Sequence, residues 1–243
     1  MENKTYQTLI RWLVILAMPF FLGFGMIRAV IAWDYPAFEY QRIPPDIYGF
    51  SPEQRLELAR GTLNYMQQTE PAESVIYMLE ELRLPGTDQS LYNDREIQHM
   101  IDVKRLADAI RIGAIIAGMI VFVGLGVLII PKTSRLFGWR TLMLAGMATM
   151  AALAIIAVSI LIAWPIFFVQ FHELLFPPDT WTFAYTDSLI RLFPEQFWFD
   201  VGVIISVGTL VLGALAWLIG YVMYRRGTKK SAELELNYPR SVQ

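Results

Sequence analysis

Cysteine is absent from the 243-residue sequence, and histidine occurs only twice, at His99 and His172. A chain without cysteine can form no disulfide, iron–sulfur cluster or cysteine-ligated zinc site, and it offers no thiol nucleophile. Any acid–base or covalent chemistry must therefore use histidine, carboxylate, hydroxyl or backbone groups.

Charge is also scarce. Charged residues make up 17% of the chain, and 20 Lys and Arg against 22 Asp and Glu give a formal net charge of −2. No basic cluster is interleaved with aromatic residues, so a nucleic-acid partner is not expected. Apolar residues reach 55% and the mean hydropathy is +0.42, which leaves too little polar surface to cover a water-soluble core. This composition predicts a polytopic membrane protein.

Four apolar stretches are longer than the about 20 residues that a helix needs to cross a hydrocarbon core. The predicted fold class is therefore all-α, with four transmembrane helices and a small helical extracytoplasmic head. The predicted segments are the N-terminal tail and first span (1–33), the head (34–108), the second span (109–130), a cytoplasmic loop (131–140), the third span (141–168), an extracytoplasmic loop (169–200), the fourth span (201–224) and a cytoplasmic tail (225–243), disordered after Gly227.

The charges between the spans predict the orientation. The 131–140 loop carries three basic residues and no acid, whereas segment 34–108 has fourteen acids against seven bases and segment 169–200 has five acids against Arg191 alone. By the positive-inside rule both termini are cytoplasmic. Both histidines are then expected on the extracytoplasmic face of the membrane.

Caps and breakers predict three helices in the head, after an entry kept extended by Tyr35-Pro36. The first helix starts at Ser51-Pro52-Glu53-Gln54 and ends near Thr69. The second runs from about Ala72 to Leu82. The third begins at Asn93 or Asp94 and meets no proline before Ile130, so it either continues into the second span as one rod or joins it through a bend.

Two further features concern the third span and the loop that follows it. Pro165 predicts a kink near the outer end of the span. A short helix is expected over about 186–192, capped at Asp187 or nearby.

The two histidines are the candidate catalytic residues. Either imidazole alone is typical of an interfacial anchor, but the pair is expected on one membrane face beside carboxylates, and imidazole is the commonest general base. Candidate supporting residues are Glu96, Asp102, Asp179, Trp181 and Asp187. One of the first three carboxylates could hold an imidazole in one tautomer, whereas Trp181 and Asp187 have the alternative reading of interfacial anchor and loop cap.

Metal binding is the rival use of these residues. Two imidazoles with Glu96, Asp102, Glu173 or Asp179 could bind zinc, but no His-Glu-x-x-His or similarly dense spacing occurs, which favours a metal-free pair. No cofactor is expected. Arg28 and Arg111 are candidate substrate-binding residues that could hold an acidic lipid or a carbonyl group; the alternative is that they fasten the span ends to headgroups.

Three signature segments resemble the lipoprotein intramolecular transacylase (Lit) family of bacterial membrane proteins. They are Asn93-x-x-Glu96-x-x-His99-Met100-x-Asp102-Val103-Lys104, Phe171-His172-x-x-x-Phe176-x-x-Asp179-x-Trp181, and Asp187-x-Leu189-Ile190-x-Leu192-Phe193-Pro194-x-x-Phe197. The resemblance also covers the four-span layout, whereas the head from Tyr35 to Ser90 matches only in general arrangement.

The resemblance implies an acyltransferase whose substrate is the diacylglyceryl N-terminus of a bacterial lipoprotein, with membrane lipid as its other partner. The family moves the sn-2 acyl chain from glycerol to the α-amino group of the same N-terminal cysteine and produces the lyso form. The family histidines fall on His99 and His172. Roles within the pair, the lining of the acyl groove and the oligomeric state are left open.

The residues are suited to this chemistry. Moving an ester acyl chain to an amine needs a base, an oxyanion donor and an acid for the leaving oxygen, and tethering both groups in one molecule supplies much of the rate. A histidine dyad meets these needs, with an acyl-histidine intermediate as a variant. Two alternatives stay open: a metal-dependent membrane hydrolase acting on lipid esters, and a non-enzymatic accessory or sensor protein that binds a partner through its acidic head.

Overall fold

The computed structural model describes residues 2–237, and this part of the chain contains nine helices and no strand. The helices are α1 (Glu2–Ala32), α2 (Tyr35–Glu39), α3 (Pro52–Gln67), α4 (Ala72–Val75), α5 (Tyr77–Glu80), α6 (Asp94–Ile129), α7 (Arg135–Leu175), α8 (Ser188–Leu192) and α9 (Glu195–Asn237). The all-α prediction is confirmed.

Four of these helices, α1, α6, α7 and α9, are long and apolar enough to cross a membrane. This confirms the number of predicted spans. The helix α6 is continuous over 36 residues, which would give a rod of about 54 Å at 1.5 Å per residue. The head helix that carries His99 and the second span are therefore one element, as the rod alternative predicted.

The structure differs from the sequence-based expectations at three places. Tyr35-Pro36 begins the short helix α2 because proline fits the first turn of a helix, where its missing N–H has no partner to lose. The predicted helix over 72–82 is divided into α4 and α5. The tail expected to be disordered after Gly227 continues as helix to Asn237, and residues 238–243 lie outside the described residues.

Two predictions from local sequence signals, one at a helix start and one inside a helix, agree with the structure. Ser51 and Gln54 form the predicted capping box, in which each side chain accepts the backbone N–H of the other residue. The helix α7 is interrupted at Ala163, whose φ of −135° and ψ of 42° are not helical, two residues before Pro165. The proline kink predicted for the third span is thus present.

The chain divides into two units of contacts. The first unit comprises α1 up to Gly25, Gly113–Ile156 and α9 from Ser206. Its core contains Val14, Val121 and Leu128 among other buried apolar side chains. Glycines allow α7 and α9 to touch: a Cβ added at Gly146 would lie 2.5 Å from the carbonyl oxygen of Gly213.

The second unit comprises Met26–Ile112 and Ala157–Ile205, and it contains both histidines. Its core joins the head helices to Val30 near the end of α1 and to Leu192 and Phe197 around the start of α9. Asp46 and Arg191 add an ion pair of 2.9 Å, with side chains 2% and 11% exposed respectively. The head is therefore packed directly on the ends of the spans in this unit.

Candidate active site

His99 lies in the second turn of α6 and is only 6% exposed. The helix begins just before it because Asn93 and Glu96 form a capping box: the Asn93 side-chain oxygen accepts the Glu96 N–H at 3.0 Å, and Glu96 accepts the Asn93 N–H at 2.8 Å. Nδ1 of His99 is buried and has no hydrogen-bond partner within the described part of the chain. Its hydrogen-bonding capacity is therefore not used by the protein itself.

His172 lies in the last turn of α7, beyond the bend at Ala163. Its Nδ1 is 2.7 Å from the carbonyl oxygen of Phe168, one turn earlier in the same helix. Because a carbonyl oxygen can only accept, this contact places the proton on Nδ1. In the neutral imidazole Nε2 then carries a lone pair and can accept a proton.

The structure brings the two imidazoles together. Their ring centroids are 6.2 Å apart and the ring planes are inclined by 25°. Residues 73 positions apart in the sequence thus form one pair, with both rings in the second unit. An ester carbonyl placed beside the pair could interact with both rings at once.

Aromatic rings surround the imidazole pair. Phe176 contacts both imidazoles, with centroid distances of 5.0 Å to His99 and 5.5 Å to His172. Phe183 lies 5.4 Å from His99, and Trp181 lies 5.0 Å from His172. These rings limit the access of water to the imidazoles and give an acyl chain apolar surface.

The carboxylate of Glu96 accepts hydrogen bonds from two backbone N–H groups. Glu96 is 1% exposed; besides the Asn93 amide, it accepts the N–H of Leu189 at 2.7 Å. Leu189 belongs to the first turn of α8, so Glu96 fastens α8 to the helix that carries His99. The role of tautomer-setting partner is taken at His172 by the Phe168 carbonyl.

Of the other three predicted supporting acids, two have partners of their own and the third is exposed. Asp102 is paired with Arg105 at 3.2 Å. Asp187 precedes α8 but does not cap it through its side chain; it accepts the Ala184 N–H at 2.9 Å and lies 3.6 Å from Arg95. Asp179 is exposed, with a left-handed φ of 63°. Of the five supporting candidates, Trp181 is the one whose side chain contacts a histidine ring.

The two candidate substrate-binding arginines differ in their surroundings. Arg111 donates to the carbonyl oxygen of Thr69 at 3.1 Å and lies 3.4 Å from Asp108, so its guanidinium already holds the end of α3 to α6. Arg28 is half-buried in α1. Among residues 2–237, no group of three or more His, Cys, Asp or Glu side chains is placed to hold a metal ion.

Two contributors to the site were missed at the level of sequence. Phe183 contacts His99, and the Phe168 carbonyl sets the proton of His172. Phe183 lies five residues before the short helix α8, in a loop with many aromatic residues, and nothing in the sequence distinguishes it from the others. The second contributor is a backbone atom, the carbonyl oxygen of Phe168. The sequence could have suggested it only through the general rule that the carbonyl four residues before a helical histidine lies within reach of its ring.

Known proteins with this pattern identify the family. The family described as "Lipoprotein intramolecular transacylase Lit" matches residues 8–198, which is more than half of the chain. The chain belongs to the Lit family. The solved structure of membrane-integral Lit from Bacillus cereus has a TM-score of 0.74 at 22% identity and covers 95% of this chain and 99% of that one. A histidine-to-alanine variant of the same protein gives a TM-score of 0.71 at 22% identity, with 95% and 97% covered.

A relative from Aquifex aeolicus (strain VF5), described as an uncharacterized protein, is 28% identical over 224 residues, covering 91% of this chain and 94% of that one. Membership of the Lit family makes an acyl transferase acting on lipoprotein substrates in the membrane the general function. The B. cereus structures establish the shared fold, and with it the multi-pass membrane architecture.

Proposed function

We propose that this chain moves the sn-2 acyl chain of an S-diacylglyceryl cysteine to the α-amino group of the same cysteine, with His99 and His172 as the catalytic residues. The observation that carries the proposal is the contact between the two imidazoles, 6.2 Å apart inside an aromatic enclosure. The acid–base chemistry available to the two histidines supports the proposal, and so does membership of the Lit family. We place this site on the extracytoplasmic face, with both termini in the cytoplasm.

His172 is the base in this proposal. Its Nδ1–H is held by the Phe168 carbonyl, so the lone pair of Nε2 is free to take a proton. The substrate ammonium first loses one proton to water, and the resulting amine attacks the ester carbonyl carbon. The adduct passes a second N–H proton to Nε2 of His172. General base catalysis of this kind contributes about 10²- to 10⁴-fold in rate.

His99 supplies the donor for the oxyanion. Its Nδ1 is buried without a partner, and an N–H there would donate to the negative oxygen that forms when the amine attacks. When the adduct collapses, the bond between the carbonyl carbon and the sn-2 oxygen breaks. That oxygen takes the proton from His172. The products are a secondary amide and a free glycerol hydroxyl, so atoms and charge balance without a cofactor.

The aromatic enclosure makes transfer to nitrogen competitive with hydrolysis. Phe176 and Trp181 cover the imidazoles on sides where water would otherwise approach. The amine of the substrate is tethered to the ester through the cysteine and glycerol, so its effective concentration at the carbonyl is high. Both effects favour the amide product.

The test is mass spectrometry of the N-terminal lipopeptide of a bacterial lipoprotein. The lipoprotein is produced in a host that makes the diacyl form, with and without expression of this protein. A constant total lipid mass, with one acyl chain moved from glycerol to the amine, is the expected result. His99→Ala and His172→Ala should each abolish the transfer. An exposed substitution in the head, Asp88→Asn, is the matched control and should leave it unchanged.

Other outcomes separate the two alternatives. Release of one acyl chain by hydrolysis, in a reaction that chelators inhibit, would indicate a metal-dependent membrane hydrolase. An unchanged lipopeptide in the presence of correctly inserted protein would indicate the accessory or sensor function. Transfer that persists in both histidine variants would contradict the dyad while leaving the family's reaction in place.

A further inference from the structure

The loop Pro44–Phe50, which we name the tip loop, exposes two apolar side chains. Ile47 is 83% exposed, the largest exposed fraction among the large apolar side chains of the described residues, and its neighbour Tyr48 is 46% exposed. Single exposed apolar residues are ordinary on a protein surface. An adjacent pair at the end of a loop is informative when the loop is rigid, because a rigid loop holds the pair outward at all times.

The base of the tip loop is rigid. The carboxylate of Asp46 accepts the Phe50 N–H at 2.8 Å, which closes the loop, and it also pairs with Arg191 at 2.9 Å. The Arg191 guanidinium lies 3.5 Å from the centre of the Phe50 ring. At the start of the loop Arg55 donates to the carbonyl oxygen of Pro44 at 2.9 Å.

The backbone of the loop is adapted to this shape. Gly49 has a φ of +115°, a conformation that residues with a side chain rarely adopt, and a Cβ there would meet no atom within 4 Å. The glycine is therefore required by the turn and not by crowding. The turn directs the chain back to Phe50, which is buried, directly after the two exposed residues.

The base of the tip loop is tied to the segment directly before a candidate span. Asp46 pairs with Arg191, which lies four residues before the start of α9 at Glu195. Ile43 and Phe50, which flank the exposed pair, belong to the core of the second unit. The tip loop is therefore joined to the part of the chain that leads into α9.

The chain around the end of α1 and the start of α9 has the composition of a membrane–water boundary. Exposed aromatic side chains there belong to Trp33, Phe38 and Trp198. Trp33 and Phe38 contact each other at 5.0 Å, and the guanidinium of Arg42 lies 5.2 Å from the Phe38 ring. Aromatic rings with a basic side chain among them are typical of the interface of a spanning protein with lipid headgroups.

We propose that the tip loop inserts Ile47 and Tyr48 into the lipid surface on the side of the membrane where the imidazole pair lies. The occupant of this apolar surface is lipid, because Arg191 joins the base of the loop to the start of α9, a helix that is long and apolar enough to cross a membrane. Arg191 links the two features: it anchors the tip loop, and its helix α8 is fastened through Leu189 to Glu96, one turn from His99. The loop thereby gives the head a second attachment to the bilayer beyond the spans.

The absence of cysteine allows a direct test, because one introduced cysteine is the only labelling site. The full chain with Ile47→Cys carries a nitroxide and is reconstituted in vesicles of phosphatidylethanolamine and phosphatidylglycerol. Its collision rates with oxygen and with a water-soluble nickel chelate are measured. The controls are Asp88→Cys, exposed in the head, and Ile166→Cys, exposed on the apolar α7.

A ratio of oxygen to nickel accessibility several-fold above that of the Asp88→Cys label, and close to that of Ile166→Cys, is the expected result. A ratio equal to that of Asp88→Cys would overturn the proposal, because the tip would then be in water. An immobilised label with low access to both reagents would also overturn it, since protein would cover the tip. A label at Tyr48→Cys provides an independent second measurement of how deeply the tip loop lies in the membrane.

Discussion

The carboxylate of Glu96 accepts the backbone N–H of Leu189 at 2.7 Å, across 93 positions of sequence. Its other oxygen accepts the N–H of Asn93 at 2.8 Å, so one buried side chain satisfies the first turns of two helices. The helix α6 carries His99 one turn beyond this contact. The position of the candidate catalytic imidazole therefore depends on Glu96, whose carboxylate is bonded to backbone amides.

This contact predicts the effect of Glu96→Ala. The substitution leaves the buried Leu189 amide without an acceptor, at about 1–3 kcal/mol, removes the acceptor of the partly buried Asn93 amide, and frees α8 from α6. We expect a lower unfolding temperature in detergent and a loss of transfer activity. Glu81→Ala, which removes an exposed carboxylate, is the control and should change neither quantity. Normal stability of Glu96→Ala would contradict the bridging role.

The proposed dyad predicts non-additive kinetics. If His99 and His172 act on the same adduct, each single alanine variant should lose about 10²- to 10⁴-fold in rate, and the double variant should lose little more. Single-turnover transfer rates measured on the lipopeptide provide the comparison. Losses that multiply in the double variant would show that the two imidazoles act in independent steps.

The aromatic enclosure predicts a change of product. Phe176→Ala removes the ring that contacts both imidazoles and opens a path for water. Hydrolysis should then compete with transfer, and free fatty acid should appear together with a lipopeptide that has lost one acyl chain. Ile166→Ala, at an exposed position of α7, should release no fatty acid. An unchanged ratio of amide to free acid in Phe176→Ala would refute water exclusion by this ring.

The Asp46–Arg191 pair predicts a pH dependence of head stability. Burial by itself raises the pKa of Asp46, but the Arg191 guanidinium and the Phe50 N–H outweigh it and lower that pKa below its ordinary value of 3.8. A carboxyl group whose pKa is lowered by folding stabilises the fold above the unfolded pKa, and this stabilisation is lost as the pH falls through the folded value. The loss should therefore appear below about pH 4.

Asp46→Asn tests this dependence. The variant leaves Arg191 buried without its counter-ion, so it should lose about 3–5 kcal/mol at neutral pH and show a smaller further loss on acidification. Thermal unfolding followed by tryptophan fluorescence at several pH values measures both effects. Asp34→Asn is the matched control, because Asp34 pairs with Arg60 at an exposed position, where solvent screens the interaction. An equal response of the two variants would argue against the buried pair.

The glycines of the first unit predict a steric effect. Gly146→Ala would place a methyl group 2.5 Å from the Gly213 carbonyl oxygen, so α7 and α9 would have to separate, at about 1–3 kcal/mol. Gly25→Ala is the control in a helix where a Cβ meets nothing within 4 Å. We expect a lower unfolding temperature for the first variant and an unchanged or slightly higher one for the second.

How far the sequence predicts this protein depends on whether a feature is local. The capping box at Ser51, the start of the third helix at Asn93 or Asp94 and the kink at Pro165 depend on residues within one turn, and they were predicted correctly. Tyr35-Pro36 was misread because proline fits both an extended segment and the first turn of a helix. The helix beyond Gly227 was missed because the glycine and the charged residues that follow it were interpreted as the start of a disordered tail, although Lys229 and Glu233 form an i,i+4 pair.

The features of the candidate site also divide into those that the sequence could predict and those that it could not. The two histidines could be placed on one membrane face because a hairpin of spans returns the chain to its starting side. The second partner of Glu96 is 93 positions away, and the partner of His172 is a backbone oxygen that any residue type at position 168 would supply. Contacts of these kinds depend on the tertiary arrangement of helices and carry no residue-type signal.

The interruption of α7 at Ala163 has a consequence for bilayers of different thickness. A straight helix of 41 residues would extend about 62 Å, roughly twice a hydrocarbon core of about 30 Å. Because the backbone changes direction nine residues before His172, the final turns take their orientation from their aromatic neighbours and not from the tilt of the span. We therefore expect the depth of the imidazole pair to respond less to bilayer thickness than it would at the end of an uninterrupted helix.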